Sequence, residues 1–216
     1  IIRQRVRNVI NLRETAATVN SLKRDRLTGL CNREAFFDRL PALLETRPAG
    51  GFIVAGFDID NFKVINDQYG AEEGDRVLKR LAAFLEEDMA REGGICCRMT
   101  ADEFAVAYPF EIADNGDSFI TNAQEMLARS TRVSVTFSVG RYVVTDLSLS
   151  PSAIYDRAFI AKQSVKGRYD KHVAYYDESM RDSIVKEQRI VNEMGAALAS
   201  GQFEAWLQPQ YNHASG

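Results

Sequence analysis

The run from Phe52 to Phe57 carries no charged or polar side chain and stops abruptly at Asp58-Ile59-Asp60. A short continuous apolar run bounded by turn residues reads as a strand buried on both faces. Such a strand needs cover above and below, and the flanking sequence supplies helix-period segments. Asn32 is suited to cap a helix over Arg33 to about Leu44, and Arg47-Pro-Ala-Gly-Gly51 breaks it before the strand. Phe62–Gln68 reads as a short helix and Gly70–Gly74 as a loop. Val77, Leu78, Leu81, Phe84 and Leu85 then mark one face of a long helix ending near Arg91.

Ile95–Met99 and Phe104–Tyr108, separated by a turn, predict a β-hairpin. A helix over Ser118–Arg129, an alternating strand over Val133–Val144, a helix over Ser152–Lys166 and a last strand over Val173–Tyr176 follow. Strands alternating with helices around a central hairpin indicate an α/β or α+β sheet with helices on its faces. From Ser179 a further helix carries Ile190, Met194 and Leu198 at four-residue steps and ends at Gly201; Phe203–Leu207 alternates like a strand. At the other end, residues 1–24 lack proline and glycine. Ile2, Val9 and Ala16 with Leu12 and Val19 form a short heptad-like seam, read either as a helix packed on its own domain or as a parallel dimerising helix below a sensor.

Net charge of −3 argues against a nucleic-acid surface. No apolar stretch reaches the roughly 18–20 residues of a membrane span. Three cysteines, two of them adjacent, do not make a disulfide framework and fit a reducing cytoplasmic setting. The chain starts without methionine and stops after Gly216, and so reads as a segment of a longer protein, possible membrane anchor included.

Chemistry concentrates in the acids. Asp58 ends the buried strand, and Asp102-Glu103 follows the hairpin turn. Carboxylates at strand ends suit a hard divalent cation, Mg²⁺ or Mn²⁺, that shares its oxygens with a phosphate. Lys63 opens a short helix where an anion is welcome. Asn66 and Asp75 form a mixed donor and acceptor pair that matches the edge of guanine. Nucleotide phosphoryl chemistry without a P-loop follows, since no GxxxxGK[ST] occurs. Taken singly, each acid is more readily a solvated loop-end residue or a helix cap.

Asp25-x-Leu27-Thr28-Gly29-Leu30-x-Asn32-Arg33, Phe57-Asp58-Ile59-Asp60-x-Phe62-Lys63-x-Ile65-Asn66-Asp67 with Gly74-Asp75, and Arg98-x-x-x-Asp102-Glu103-Phe104 together resemble the GGDEF family of diguanylate cyclases. The resemblance covers residues 25–178. It implies a palm-like cyclase fold with a five-stranded mixed central sheet flanked by helices, and the joining of two GTP molecules into cyclic di-GMP across a homodimer. It further implies that Asp58, the Ile59 carbonyl and Asp102 hold Mg²⁺ and that Glu103 is the neighbouring active-site acid. Phe62, Lys63, Asn66, Asp75, Lys162 and Arg168 are then the nucleotide-binding set. Arg168 lies two residues beyond the usual Lys-x-x-Gly-Arg spacing.

The signature glycines are replaced by Thr100 and Ala101, whose Cβ groups crowd a turn that favours positive φ. Of the family's inhibitory Arg-x-x-Asp only Arg91 remains, in Arg91-Glu-Gly-Gly94. Residues 179–216, through Gln208-Pro209-Gln210-Tyr211, resemble the start of an EAL phosphodiesterase domain, whose Glu-Ala-Leu motif falls outside this chain. The expectation is a degenerate GGDEF domain, weak or inactive as a cyclase, that controls a downstream EAL domain through GTP binding or dimerisation through its N-terminal helix. An active cyclase and a structural spacer are the alternatives.

Overall fold

The computed structural model describes residues 22–111, 116–168, 170–204 and 206. The seam expected over residues 1–24 lies almost wholly outside them. The chain divides by contacts into two compact units, the second beginning at Asp177.

In the first unit the elements run β1 (Cys31–Asn32), α1 (Arg33–Leu44), β2 (Phe52–Ile59), α2 (Phe62–Tyr69), α3 (Ala71–Glu92), β3 (Ile95–Thr100), β4 (Glu103–Pro109), α4 (Gly116–Ser130), β5 (Phe137–Val143), α5 (Pro151–Gln163) and β6 (Val173–Tyr175). The sheet order is β1-β3-β4-β2-β5-β6. Strand β2 is antiparallel to both β4 and β5, while the outer pairs β1–β3 and β5–β6 are parallel, so the sheet is mixed.

Every residue of β2 is buried, because each face has its own helical layer. Ile53, Ala55, Phe57 and Ile59 pack with Leu78, Leu81 and Leu85 of α3 and Leu127 of α4. Phe52 and Val54 pack with Phe36 and Leu40 of α1 and Ile154 and Ala158 of α5. The period of two along a strand thus sorts one apolar run between two cores. Gly56 and Asp58 belong by the same alternation to the α1/α5 face.

The sheet has six strands rather than the expected five. The extra member is β1, where the chain folds back through an Arg24–Cys31 bridge and pairs Cys31 with Cys97 and Asn32 with Arg98. Two residues are too few to leave a periodic signal. The expected strand over Val133–Val144 is shorter, beginning at Phe137. Buried Val133 and Val135 create the alternation, but the Val135 carbonyl accepts from Gln124 Nε2 at 3.0 Å and the Thr136 carbonyl from the Asp60 N–H at 2.9 Å. The loop expected over Gly70–Gly74 is a single residue, Gly70 at φ 87°, and Gly74-Asp75 lies already in the first turns of α3. Asn32 does cap α1, accepting from the Ala35 N–H at 3.0 Å, a contact that contributes about 1 kcal/mol.

The second unit consists of α6 (Glu178–Ala199), capped by Asp177 and closed by Gly201 at φ 72°. Phe203, Glu204 and Trp206 lie in no strand, contrary to the alternation there; Leu207 onward lies outside the described residues. No helix among the described residues is long and apolar enough to cross a membrane.

Candidate functional site

Helix α5 approaches the sheet over two glycines that face each other in register, Gly56 on β2 and Gly140 on β5. A Cβ on Gly140 would lie 2.7 Å from Lys162 Cα and closer still to Ala158 O and Lys162 N. A Cβ on Gly56 would lie 3.0 Å from the Tyr155 ring. Bare backbone at both positions lets the helix sink onto the strands. Tyr155 and Lys162, seven residues apart on one helical face, are thereby delivered to the acidic end of β2.

There Asp58 pairs in register with Glu103 across β2 and β4, so both carboxylates stand on the same face. Lys162, 2% exposed, lies 2.5 Å from Glu103 Oε1 and 3.2 Å from Asp58 Oδ2. Lys166, in the turns after α5, reaches Asp58 Oδ2 at 2.6 Å. Tyr155 donates to Glu103 Oε1 at 2.8 Å. Burial and the Glu103 charge keep that phenol protonated. Lys166 is raised above the usual lysine range, first by its hydrogen bond to Asp58 and then by the charges of Asp58, Asp102 and Asp60, against an opposing effect of burial.

Asp102 is half-buried at the hairpin tip. Desolvation, followed by the charge of Asp58, pushes its pKa up despite Lys166 and Lys162 nearby. Asp58, Asp102 and Glu103 therefore share one electrostatic neighbourhood, three carboxylates against two ammonium groups. Asp58 Oδ1 is buried and has no hydrogen-bond partner. A buried, unpartnered carboxylate oxygen beside a second, destabilised carboxylate fits a hard cation, which would satisfy both. Among the described residues no group of three or more His, Cys, Asp or Glu is arranged as a metal cage. Two carboxylates and a backbone carbonyl leave coordination positions for phosphate and water, as an oxygen-bound Mg²⁺ requires.

Asn66 and Asp75, the pair expected to read guanine, lie where two helices meet. Helices α2 and α3 meet at Gly74, where an added Cβ would collide with Asn66 Oδ1 and lie 3.2 Å from Phe62 Cζ. Asn66 is thus laid against the backbone next to exposed Asp75, with Phe62 beside it. Lys63 is exposed in the first turn of α2, which follows Asn61 in the left-handed region at φ 56°. Asp60 is engaged elsewhere, accepting from Ser138 Oγ at 2.6 Å.

Three sequence expectations change. Arg168 is exposed and pairs with Asp170 at 2.8 Å; the cation at the acids is Lys166. The usual spacing places the second cation four residues after the first, and Lys166 holds that offset from Lys162, so the signal was present but masked by the later Gly167-Arg168. Tyr155 was not anticipated, although its spacing from Lys162 is helical. Thirdly, the altered turn is centred on Ala101-Asp102. Thr100 ends β3 opposite Glu103, and only Ala101 takes positive φ, at 37°.

The turn is held from below. Arg98 donates through Nε to the Ala101 carbonyl at 2.7 Å and through a terminal nitrogen to Asp25 Oδ1 at 3.0 Å. Asp25 also accepts from the Thr28 N–H and hydroxyl, closing the Asp25–Gly29 loop. Arg91 is exposed and bonded to Asp88 and Glu92 of its own helix. At Gly94, where the resembled Arg-x-x-Asp pattern would put aspartate, a Cβ would lie 2.5 Å from the Ala107 carbonyl oxygen.

Comparison with known proteins identifies the family and the fold. The family described as "Diguanylate cyclase, GGDEF domain" matches residues 22–171. The chain is 31% identical over 142 residues to the diguanylate cyclase DgcP of Pseudomonas aeruginosa, covering 62% of this chain and 21% of the relative. It is 27% identical over 203 residues to the uncharacterized protein y4lL of Sinorhizobium fredii, covering 90% and 24%. The structure of the coiled coil and GGDEF domain of DgcB from Caulobacter crescentus in complex with c-di-GMP superposes with a TM-score of 0.65 at 25% identity, covering 81% of this chain and 96% of that one. The chain spans about a third or less of the curated relatives it matches. A palm-type sheet with acids at the ends of its central strands, matched by family over most of its length, makes this chain a member of the GGDEF-domain family of diguanylate cyclases.

Proposed function

We propose that this domain binds GTP with Mg²⁺ or Mn²⁺ at the Asp58–Asp102 end of the sheet, is weak or inactive as a diguanylate cyclase, and regulates an attached phosphodiesterase. The observation that carries the binding reading is the buried, unpartnered Oδ1 of Asp58 beside half-buried Asp102. Asp58, the Ile59 carbonyl and Asp102 would hold the ion, which when bound polarises the phosphoryl group and lowers the pKa of an attacking hydroxyl. Lys162 orients Asp58 and Glu103 from the dry side of the sheet. Lys166, half exposed beside Asp58, would supply a positive charge to a phosphate bound at this end of the sheet. Asn66 and Asp75, supported by the Gly74 contact, read guanine, and Phe62 and Lys63 flank them.

Weak synthesis follows from Ala101. Its Cβ stands at the hairpin tip where a nucleotide must approach backbone, and the left-handed conformation costs a non-glycine residue about 1–2 kcal/mol. Joining two nucleotides demands near-attack geometry that such crowding disturbs. The retained register of Asp58 with Glu103 favours a second reading, a working cyclase that tolerates the altered turn. The tail supports attachment to a further domain: Ile190, Met194 and Leu198 on α6 are 50–67% exposed along one stripe that awaits cover.

Calorimetric titration of the purified chain with GTP and Mg²⁺ tests the proposal, with saturable heat expected and lost in Asp58→Asn. Absence of saturable heat would leave only a structural spacer. Cyclic di-GMP formation by the full-length dimer at rates typical of a cyclase would overturn the weak-activity reading. Thr100→Gly with Ala101→Gly is expected to raise GTP affinity or synthesis.

A further inference from the structure

Three thiols lie where β1 meets β3, Cys31 and Cys97 on one face of the sheet and Cys96 on the other, and the proposed nucleotide site uses none of them. Cys31 is in register with Cys97 on the neighbouring parallel strand, and all three cysteines are free. Adjacent strands lie about 4.8 Å apart, within the roughly 4.4–6.8 Å between Cα atoms that a disulfide spans. Both side chains pack in the same cluster, where Cys97 Sγ also lies 3.4 Å from Met99 Sδ. Cys31 Sγ also donates to the Cys96 carbonyl at 2.8 Å.

Their surroundings differ. Cys97 is fully buried, whereas Cys31 is half-buried and opens onto a groove of about 590 Å³. That groove is lined by Lys23, Arg24 and Arg39, with Glu86 the acid among its lining residues. Hydrogen bonding from Cys97 and the guanidinium groups of Arg39 and Arg24 lower the Cys31 pKa against the effect of burial. Burial raises both neighbours, Cys96 to about 12. Cys96 also lines this groove but is buried, so Cys31 is the more reachable, electropositively framed thiol, and its registered partner Cys97 is held in reserve.

We propose that Cys31 is an oxidant-reactive thiol and that Cys97 resolves it to a disulfide. The Cys31 thiolate attacks one oxygen of hydrogen peroxide. The S–O bond forms as the O–O bond breaks, and the departing hydroxide takes a proton to become water. Cys97 sulfur then attacks Cys31 sulfur, its proton passes to the leaving oxygen, and a second water departs as the S–S bond forms. The thiol pair loses two electrons and the peroxide gains them. The bridge ties β1 to β3 next to the Asn32–Arg98 pair, and Arg98 holds both the Ala101 carbonyl and Asp25. Oxidation thus acts on the strand that carries the signature turn.

The test does not depend on nucleotide binding. Before oxidation, limited alkylation of the folded chain and peptide mapping should find Cys31 modified at least about tenfold faster than Cys96 or Cys97. After dilute hydrogen peroxide, mapping should find a Cys31–Cys97 cross-link that dithiothreitol reverses and Cys31→Ser abolishes. Cys97→Ala should leave a sulfenic acid on Cys31 that dimedone traps. Equal alkylation of all three thiols, a bridge to Cys96, or peroxide treatment that leaves Cys31 unoxidised would each overturn the proposal.

Discussion

Replacing Gly140 by alanine should damage this domain more than any other single methyl addition to its central sheet. The new Cβ would stand 2.7 Å from Lys162 Cα, whereas ordinary van der Waals contact begins at 3.4 Å, and two further backbone atoms of α5 are closer. Helix α5 must retreat by roughly 1 Å, a shift of the kind that costs about 1–3 kcal/mol in an overpacked core. The same retreat stretches the Lys162–Asp58 contact from 3.2 Å toward the limit of an ion pair. Loss of a buried partner costs about 3–5 kcal/mol when complete. Alanine recovers roughly 0.5–1 kcal/mol of strand propensity. The net expectation is a loss of about 2–4 kcal/mol in urea unfolding followed by circular dichroism, with GTP affinity falling in parallel. Gly56→Ala provides the internal contrast. The three atoms nearest its Cβ, at 3.0–3.3 Å, all belong to the Tyr155 side chain, which can tilt, so about 1 kcal/mol is expected. Gly140→Ala within about 0.5 kcal/mol of the parent, or less harmful than Gly56→Ala, would refute the steric account of how Lys162 is delivered.

Ala101→Gly removes a left-handed alanine worth about 1–2 kcal/mol and returns about 0.5–1 kcal/mol of chain entropy, for a net gain near 0.5–1 kcal/mol by urea unfolding; a loss of stability would contradict the reading of the turn. Lys162→Met leaves Asp58 and Glu103 facing each other and should cost about 3–5 kcal/mol. Lys166→Ala, at a side chain 52% exposed, should cost under about 1 kcal/mol while still weakening GTP binding; equal costs would argue against the burial difference. The Asp102 carboxyl is raised in the folded state, so the fold binds its proton more tightly than the unfolded chain does. Stability from this group is then complete below the ordinary aspartate range and is lost as pH rises through the raised value. Asp102→Asn should accordingly stabilise the domain at neutral pH, with the advantage shrinking in acid; a variant gain that grows as pH falls would reverse the sign.

Much of the fold was legible because local periodicity carries it. The Phe52–Ile59 run, the α3 stripe and the Asn32 cap each state their element within a few residues, and the acids stand where strands end. Where legibility failed, backbone hydrogen bonding or pairing across the sheet decided. Val133 and Val135 alternate like a strand yet lend carbonyls to a side chain and a loop, and two-residue β1 exists only because β3 accepts it. Gly167-Arg168 resembled the expected cation motif, but distance to Asp58 selected Lys166.

Residue order alone determined which side chains this domain has to work with: carboxylates at strand ends, the Asn66 amide and Asp75 carboxylate, and a signature turn without glycine. Tertiary structure alone decided how those groups meet. Two facing glycines admit α5, whose Tyr155 reaches Glu103 and whose Lys162 reaches both Glu103 and Asp58. The physical reason is that side-chain type and period are local properties, whereas the electrostatic state of a buried carboxylate depends on which distant backbone is bare enough for a helix to touch.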